Sequence, residues 1–379
     1  MSNKTIRIQN LNLIFPSIMT QDGINVNFLV DFIHLEGIEY GGMDGIDEKV
    51  VHIKQLFLRD IARSARVDGR IWGIVEGLAS HPSLDVRNEV AHLLSRLGHL
   101  RPKRALRILR GMVGDDPWVL ETVALAVGMV GMKDPLSSLR ILKILSKEKS
   151  LWVRKNVVSS ALRILSPHPD TAIKWMERWS RDPNRYTRQT AALILGGLRT
   201  DHPSRIKILR NLCLDRYNDV RRTALLSLLR LCDGEAYDGL AEIFRLLSKD
   251  PYWRIREVVA WAMGKVGKGG RCSETLEALI YDGVGAVRKA AARSLVDLLG
   301  TESEDYLTMT RNLIKDGAEL HPDVLRIIAE SLARSWRLPP NLSIELLQRL
   351  GEDEDGEISS LAIDSILEIQ RRSSSSLRR

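Results

Sequence analysis

Six arginines stand in matching surroundings along the chain: Arg87, Arg154, Arg188, Arg221, Arg256 and Arg288. Six residues before such positions an acid recurs, as Glu148, Asp182, Asp215, Asp250, Asp282, Glu319 and Asp353. A carboxylate and a guanidinium at fixed spacing could hold a substrate, move a proton or simply pair. A catalytic site needs one such set, whereas a set repeated along a chain builds structure. The expectation is a stabilising ladder, with each acid capping a helix or meeting the arginine of its own or an adjacent copy.

Other residues that could do chemistry do not assemble into a site. Cys213, Cys232 and Cys272 lie far apart with no CxxC spacing, which argues against a disulfide framework or a structural zinc. Four of the eight histidines, His81, His168, His202 and His321, precede a proline, a turn signal rather than a ligand signal. HExxH and Gly-x-Ser-x-Gly are absent, and residues 264–271 (GKVGKGGR) lack the Gly-Lys-Ser/Thr of a phosphate loop. The acidic run Glu352 to Asp355 lacks the ligand spacing of a calcium loop. No catalytic residue, metal site or cofactor is expected, and the chain reads as a non-enzyme.

Three weaker anchors, Leu120, Leu325 and Ser359, fit the same frame as the arginines. Nine anchors from 87 to 359 span 272 residues in eight steps, a mean of 34. Positions one before, three after and seven after the anchor are apolar in every copy, with Thr187 the one exception. Spacings of four and four place them on one helical face. Four after the anchor, Ala91, Ala124, Ala192, Ala260, Ala292 and Ala329 allow close helix approach. Each anchored helix follows a second amphipathic one, such as 104–112, 139–145, 172–179, 206–214 and 240–247, with Asp-Pro, His-Pro or Gly breakers between. A helix pair of this size cannot bury its own apolar face, so copies must stack. The expected fold is all-α, an α-solenoid of about nine helix pairs. Its scarcity of aromatics (5%) suits slim helices packed through Leu, Val, Ile and Ala.

The pattern of an acid, a short turn, then Val-Arg and alternating small and large aliphatics resembles the HEAT and HEAT-like repeat, in the short form typified by the phycobilisome lyases. The tetratricopeptide and ankyrin signatures are missing. The likeness covers roughly residues 70–370 and implies the fold while leaving function open. One stretch, 151–179, is similar to the HEAT-like alkylpurine DNA glycosylases through Val153, Arg154, His168, Pro169, Asp170, Arg178 and Trp179. That resemblance implies a cationic concave surface for duplex DNA and a base-releasing carboxylate. Ser159-Ser160 stand where that family often has Asn-His, and no catalytic acid carries over.

Residues 1–46 do not fit the repeat and read as an irregular N-terminal segment. The solenoid is expected over 47–370, beginning with a capping helix at 47–66, and the Ser-rich basic tail at 371–379 is expected to be disordered. No apolar run is long enough to span a membrane, and the first residues lack a secretory pattern, so a cytoplasmic location is the expectation.

The net charge of +8 hides an uneven distribution. Residues 101–200 hold 19 Lys+Arg against 8 Asp+Glu, or +11, while 1–50 carry −4 and 301–379 carry −5. Trp118, Trp152 and Tyr186 occupy one column, two before the anchor, inside the basic block. Cations beside aromatic faces suit phosphate contact and base stacking, although rings at helix starts can also serve packing. Trp175 and Trp179, four apart on the intervening helix, are expected in the core. The functional expectation is a non-catalytic scaffold whose concave basic middle engages an acidic macromolecule, DNA or RNA foremost. Lys103, Arg107, Arg110, Lys155, Arg163, Arg185, Arg222, Lys289, Trp118, Trp152 and Tyr186 are the candidate contacts. A protein–protein adaptor and a DNA glycosylase are the alternatives.

Overall fold

The structure, a computed structural model, describes residues 19–20, 23–24, 70–231, 238–266, 273–299, 304–315, 320–335, 338–352 and 355–376. The expected irregular segment and capping helix lie outside these residues, apart from a two-residue antiparallel pairing of Met19–Thr20 with Gly23–Ile24.

The chain forms two compact units, Met1–Thr200 and Asp201–Arg379. The first holds α1 (Arg70–Leu78), α2 (Leu84–Leu97), α3 (Pro102–Gly111), α4 (Pro117–Val130), α5 (Pro135–Leu145), α6 (Leu151–Leu165), α7 (Pro169–Ser180) and α8 (Arg185–Gly197). The second holds α9 (Ser204–Leu212), α10 (Asn218–Leu229), α11 (Asp238–Leu247), α12 (Trp253–Val266), α13 (Ser273–Ile280), α14 (Gly285–Leu299), α15 (Glu304–Lys315), α16 (Pro322–Arg334), α17 (Pro340–Leu350) and α18 (Gly356–Ser376). Odd-numbered helices are the A helices and even-numbered ones the anchored B helices, four described pairs in one unit and five in the other. B helices pack on neighbouring B helices of their unit and, α16 apart, on the A helix before them, so each unit is a two-layered run of α-solenoid. The last helix continues to Ser376, inside the stretch whose composition suggested disorder.

Breakers set the helix ends. Asp116 and Asp134 accept the N–H of Trp118 (2.9 Å) and Ser137 (3.2 Å), and a proline follows each at the first helical position, where its missing N–H costs nothing. Asn184 accepts from both Tyr186 and Thr187. The His-Pro pairs act as turn elements: the Nδ1 atoms of His81 and His202 accept the N–H two residues on, at 3.1 and 3.2 Å. His168 and His321 stand at the N-caps of α7 and α16.

The core follows the apolar columns. All 27 column positions are buried except Ile366, which is half-buried. Thr187 fits because its Oγ1 shares a hydrogen bond with the buried Ser146 Oγ, 2.9 Å away. The six alanines after the anchors are fully buried. Close approach between B helices also comes through a contact that the columns do not reveal. A Cβ on Gly128 of α4 would lie 2.3 Å from Ser160 Oγ of α6, and one on Gly264 of α12 would lie 2.8 Å from Ser294 Oγ of α14. Ser160 Oγ donates to Ala124 O at 2.8 Å, which ties α6 to α4 at that crossing.

Candidate binding surface

The recurrent arginines are anchored in the turns between paired helices. In six copies one guanidinium nitrogen, Nη1, donates to a carbonyl of its own A–B turn: His81 O, Glu148 O, Asp182 O, Asp215 O, Asp250 O or Asp282 O, at 2.6–2.9 Å. The opposite edge reaches the next copy. Arg221 pairs with Asp250, Arg256 with Asp282 and Arg288 with Asp323, each through two hydrogen bonds. Arg87 pairs the same way with Asp115, which stands five rather than six residues before its anchor. Asp182, Asp215, Asp250 and Asp282 also accept the N–H two residues on, closing the turn. Lys143 meets Asp182 at 3.0 Å, and Arg154 lies over the Tyr186 ring at 4.4 Å.

Burial alone would raise the carboxyls of Asp115 and Asp282. Hydrogen bonds from Arg87 and Arg256, the N–H groups of Asp116 and Val284, and the nearby positive charge outweigh it and hold both below the usual carboxylate range. These acids are ionised partners, not proton-transfer groups.

The candidate contacts of the basic block divide between the two helix layers. Lys103, Arg107 and Arg110 stand exposed on the A helix α3. Trp118, Lys155, Trp152, Arg163, Arg185 and Tyr186 stand on the B helices α4, α6 and α8. Arg222 and Lys289, both exposed, belong to α10 and α14 of the second unit. Within the first unit, Lys103, Arg107 and Arg110 therefore stand on a different layer from the six residues on its B helices.

On the B layer of the first unit, Trp118 is 47% exposed and Trp152 61%, too open for rings that fill a core. Lys155 Nζ sits 4.1 Å above the Trp152 ring. Tyr186 is half-buried with Arg154 and Arg185 against its ring, and Arg185 Nη2 donates to its Oη at 2.9 Å. That hydrogen bond, helped by the charges of Arg185, Arg154 and Lys149, draws the Tyr186 phenol below its ordinary range despite slight burial. Trp179 is buried in the core, and Trp175 is half-buried.

An apolar surface accompanies these aromatics. Among the described residues fifteen large apolar side chains are exposed, and eight of them fall between 118 and 152. Leu125 (43% exposed) and Met129 (48%) lie four apart on α4, in line with Trp118 seven residues before Leu125. Arg163 of α6 reaches across to Met129 Sδ, 2.9 Å away. The signal was present in the sequence. Helix α4, PWVLETVALAVGMV, contains one charged residue, so its outer face had to be apolar too.

The residues shared with the glycosylase pattern do not gather into a reactive centre. Arg154 is buried and bound to turn carbonyls, Trp179 is in the core, and His168, Asp170 and Arg178 are exposed. No group of three His, Cys, Asp or Glu with metal-binding geometry occurs among the described residues, and no described helix is long and apolar enough to cross a membrane.

A stack of two-layered helix pairs with a turn-anchored arginine ladder defines an α-solenoid repeat protein. The sequence profile for HEAT repeats matches residues 139–230 and 173–262, so these copies are HEAT repeats. No curated protein matches the sequence. Among solved structures the chain is similar to Kap121p bound to Pho4p, at 12% identity and a TM-score of 0.56. That match covers 92% of this chain and 42% of Kap121p, so the chain spans less than half the length of that protein. YibA of Escherichia coli matches at 15% identity over 78% of this chain and 100% of its own, with a TM-score of 0.43. The likeness to Kap121p is one of fold: a helical solenoid.

Proposed function

We propose that this HEAT-repeat scaffold is a non-catalytic adaptor, located in the cytoplasm, whose first unit docks an acidic protein segment on its B-helix face. The carrying observation is the run of exposed Trp118, Leu125, Met129 and Trp152 bordered by Lys155 and Arg163. Aromatic and methionine side chains in the open are typical anchors of protein contacts, and methionine adapts to varied apolar partners. The cations at the border select carboxylates and speed encounter. Kap121p, similar in fold, was solved with a protein bound, in keeping with this use of a solenoid.

A labelled amphipathic peptide tests the reading, with leucines at helical spacing on one face and glutamates elsewhere. It binds the full chain, and Trp152→Ala or Met129→Glu weakens it more than tenfold, about 1.4 kcal/mol. Equal binding of the same peptide with lysine for glutamate would overturn the acidic partner.

Nucleic acid is the second reading, favoured by the stacked pairs Lys155–Trp152 and Arg185–Tyr186. It requires labelled duplex or single strand to bind with an affinity that falls steeply as salt rises. The absence of binding at low salt removes it.

A further inference from the structure

On the other layer of the first unit, a cavity of about 270 Å³ opens between the A helices α3 and α5. Lys103, Arg107 and Arg110 line it from α3 at i, i+4 and i+7, and Arg140 faces them from α5. Among the described residues none of these four cations forms an ion pair, in contrast to Arg104, which meets Glu76 at 3.1 Å. Asp134 is the single acid of the lining, and its Oδ1 already accepts the Ser137 N–H. Leu106 and Ile141, both buried, form the floor. A second cavity, between α14 and α16, has balanced charge, with Arg293 and Arg334 beside Asp297 and Glu330. Four cations and one acid around the α3–α5 cavity leave three positive charges that no described side chain neutralises.

We infer that the α3–α5 cavity is a binding site for a small anion carrying at least two phosphate groups. Like charges drawn together without counterions repel, and an anion between them removes that cost. From Lys103 to Arg110 the row runs about 10 Å along the helix, too long for one phosphate to serve. Three planar guanidiniums offer paired donors that match phosphate oxygens. Asp134 and the Ser137 hydroxyl add an acceptor and a donor at the rim, suited to the hydroxyl groups of a phosphorylated polyol. The same acid disfavours a strand whose phosphates continue past it. The site lies on the A layer, apart from the B-layer surface of the adaptor reading, so the two stand or fall separately.

Calorimetry of the full chain with tripolyphosphate, at constant ionic strength, tests the inference. Saturable one-site binding is expected, with orthophosphate and sulfate at least tenfold weaker. Arg107→Ala and Arg140→Ala should each lower tripolyphosphate affinity about tenfold or more, as loss of a charge-assisted contact does. Arg245→Ala, an exposed cation of the second unit, should leave it unchanged, and unaltered circular dichroism shows that all variants fold. Absence of saturation at concentrations on the order of 1 mM would overturn the proposal. So would an equal loss in Arg245→Ala. If a labelled oligothymidine strand binds and is lost in Arg107→Ala and Arg140→Ala while tripolyphosphate does not bind, the cavity is a nucleic-acid contact and the small anion is wrong.

Discussion

Arg221 and Asp250 hold each other through two parallel hydrogen bonds, Nε to Oδ2 at 2.6 Å and Nη2 to Oδ1 at 2.8 Å. The third edge of the same guanidinium donates to Asp215 O. Both side chains are largely buried, so removing one strands the other in a poorly solvated place. Arg221→Ala should therefore destabilise the chain by about 3 kcal/mol. The exposed pair Arg181–Glu177 offers the control, and Arg181→Ala should change stability by about 0.5 kcal/mol or less. Urea denaturation of both variants gives the comparison; similar losses would show that the ladder contributes no more than surface charge.

The ladder also sets an acid dependence. Asp115 and Asp282 are held below the ordinary carboxylate value, so the unfolded chain binds their protons more readily than the folded one. Their stabilising contribution is complete above the unfolded value, near 3.9, and is lost as pH falls toward and through their lower folded values. In Asp282→Asn the stability should be lower at neutral pH and vary less with pH below about 4. Denaturation midpoints across that range check the sign.

Glycine positions separate two opposite effects of one substitution. Gly128→Ala places a methyl group against Ser160, only 2.9 Å from the Ser160 Cα, so helix α4 must move. A loss of about 1–3 kcal/mol is expected, only partly recovered by adding Ser160→Gly. Gly73 is exposed in α1 with open space around its Cα, so Gly73→Ala should stabilise by about 0.5–1 kcal/mol. Thermal melting of the two variants should shift in opposite directions.

Thr187 is the polar member of an apolar column, and Thr187→Val restores the residue found there in most copies. Ser146 Oγ keeps its other hydrogen bond, to Lys143 O at 2.8 Å, so no buried donor is orphaned. The change should stay within about 1 kcal/mol of neutral. A larger loss in chemical denaturation would show that the Thr187–Ser146 bond matters beyond its own pairing.

Cys213 is buried, and burial pushes its thiol up to about 12. It should resist thiol reagents at pH 8 until the chain unfolds. Peptide mapping after brief alkylation, with and without denaturant, reads this directly.

The fold was legible because each copy repeats its errors and its rules alike. Val86, Val119, Val153 and Val220 mark the same buried position, and a single exception, Thr187, is explained by one hydrogen bond. The ladder was legible as a pairing of types, but its register depends on turn geometry. Asp115 and Asp323 take the carboxylate place although neither stands six residues before an anchor. Surfaces were harder to read. The basic block between 101 and 200 looked like one patch, yet Arg107 and Lys155 belong to different layers, because a charge count carries no helical phase. The outward Leu125 and Met129 carry no mark of their own, because apolar residues are ordinarily inward, and only the lack of charge around α4 distinguishes them.

Gly128 and Ser160 met the sequence reading in another way: each residue is unremarkable alone, and their relation spans two copies. A glycine eight after one anchor and a serine six after the next recur as Gly264 and Ser294, a pairing that appears only when adjacent copies are compared.

The arginine ladder has a direction. Two copies of the second unit, anchored at Arg256 and Arg288, each send a guanidinium forward and present a carboxylate, Asp250 or Asp282, backward. Excising such a copy would leave Arg221 facing Asp282, a like-for-like junction with neither group abandoned. Duplicating it would create another junction of the same kind. The chain can thus change its number of copies by gene duplication or deletion without redesigning its seams, which gives a solenoid of this type an easy route to new lengths and new surfaces.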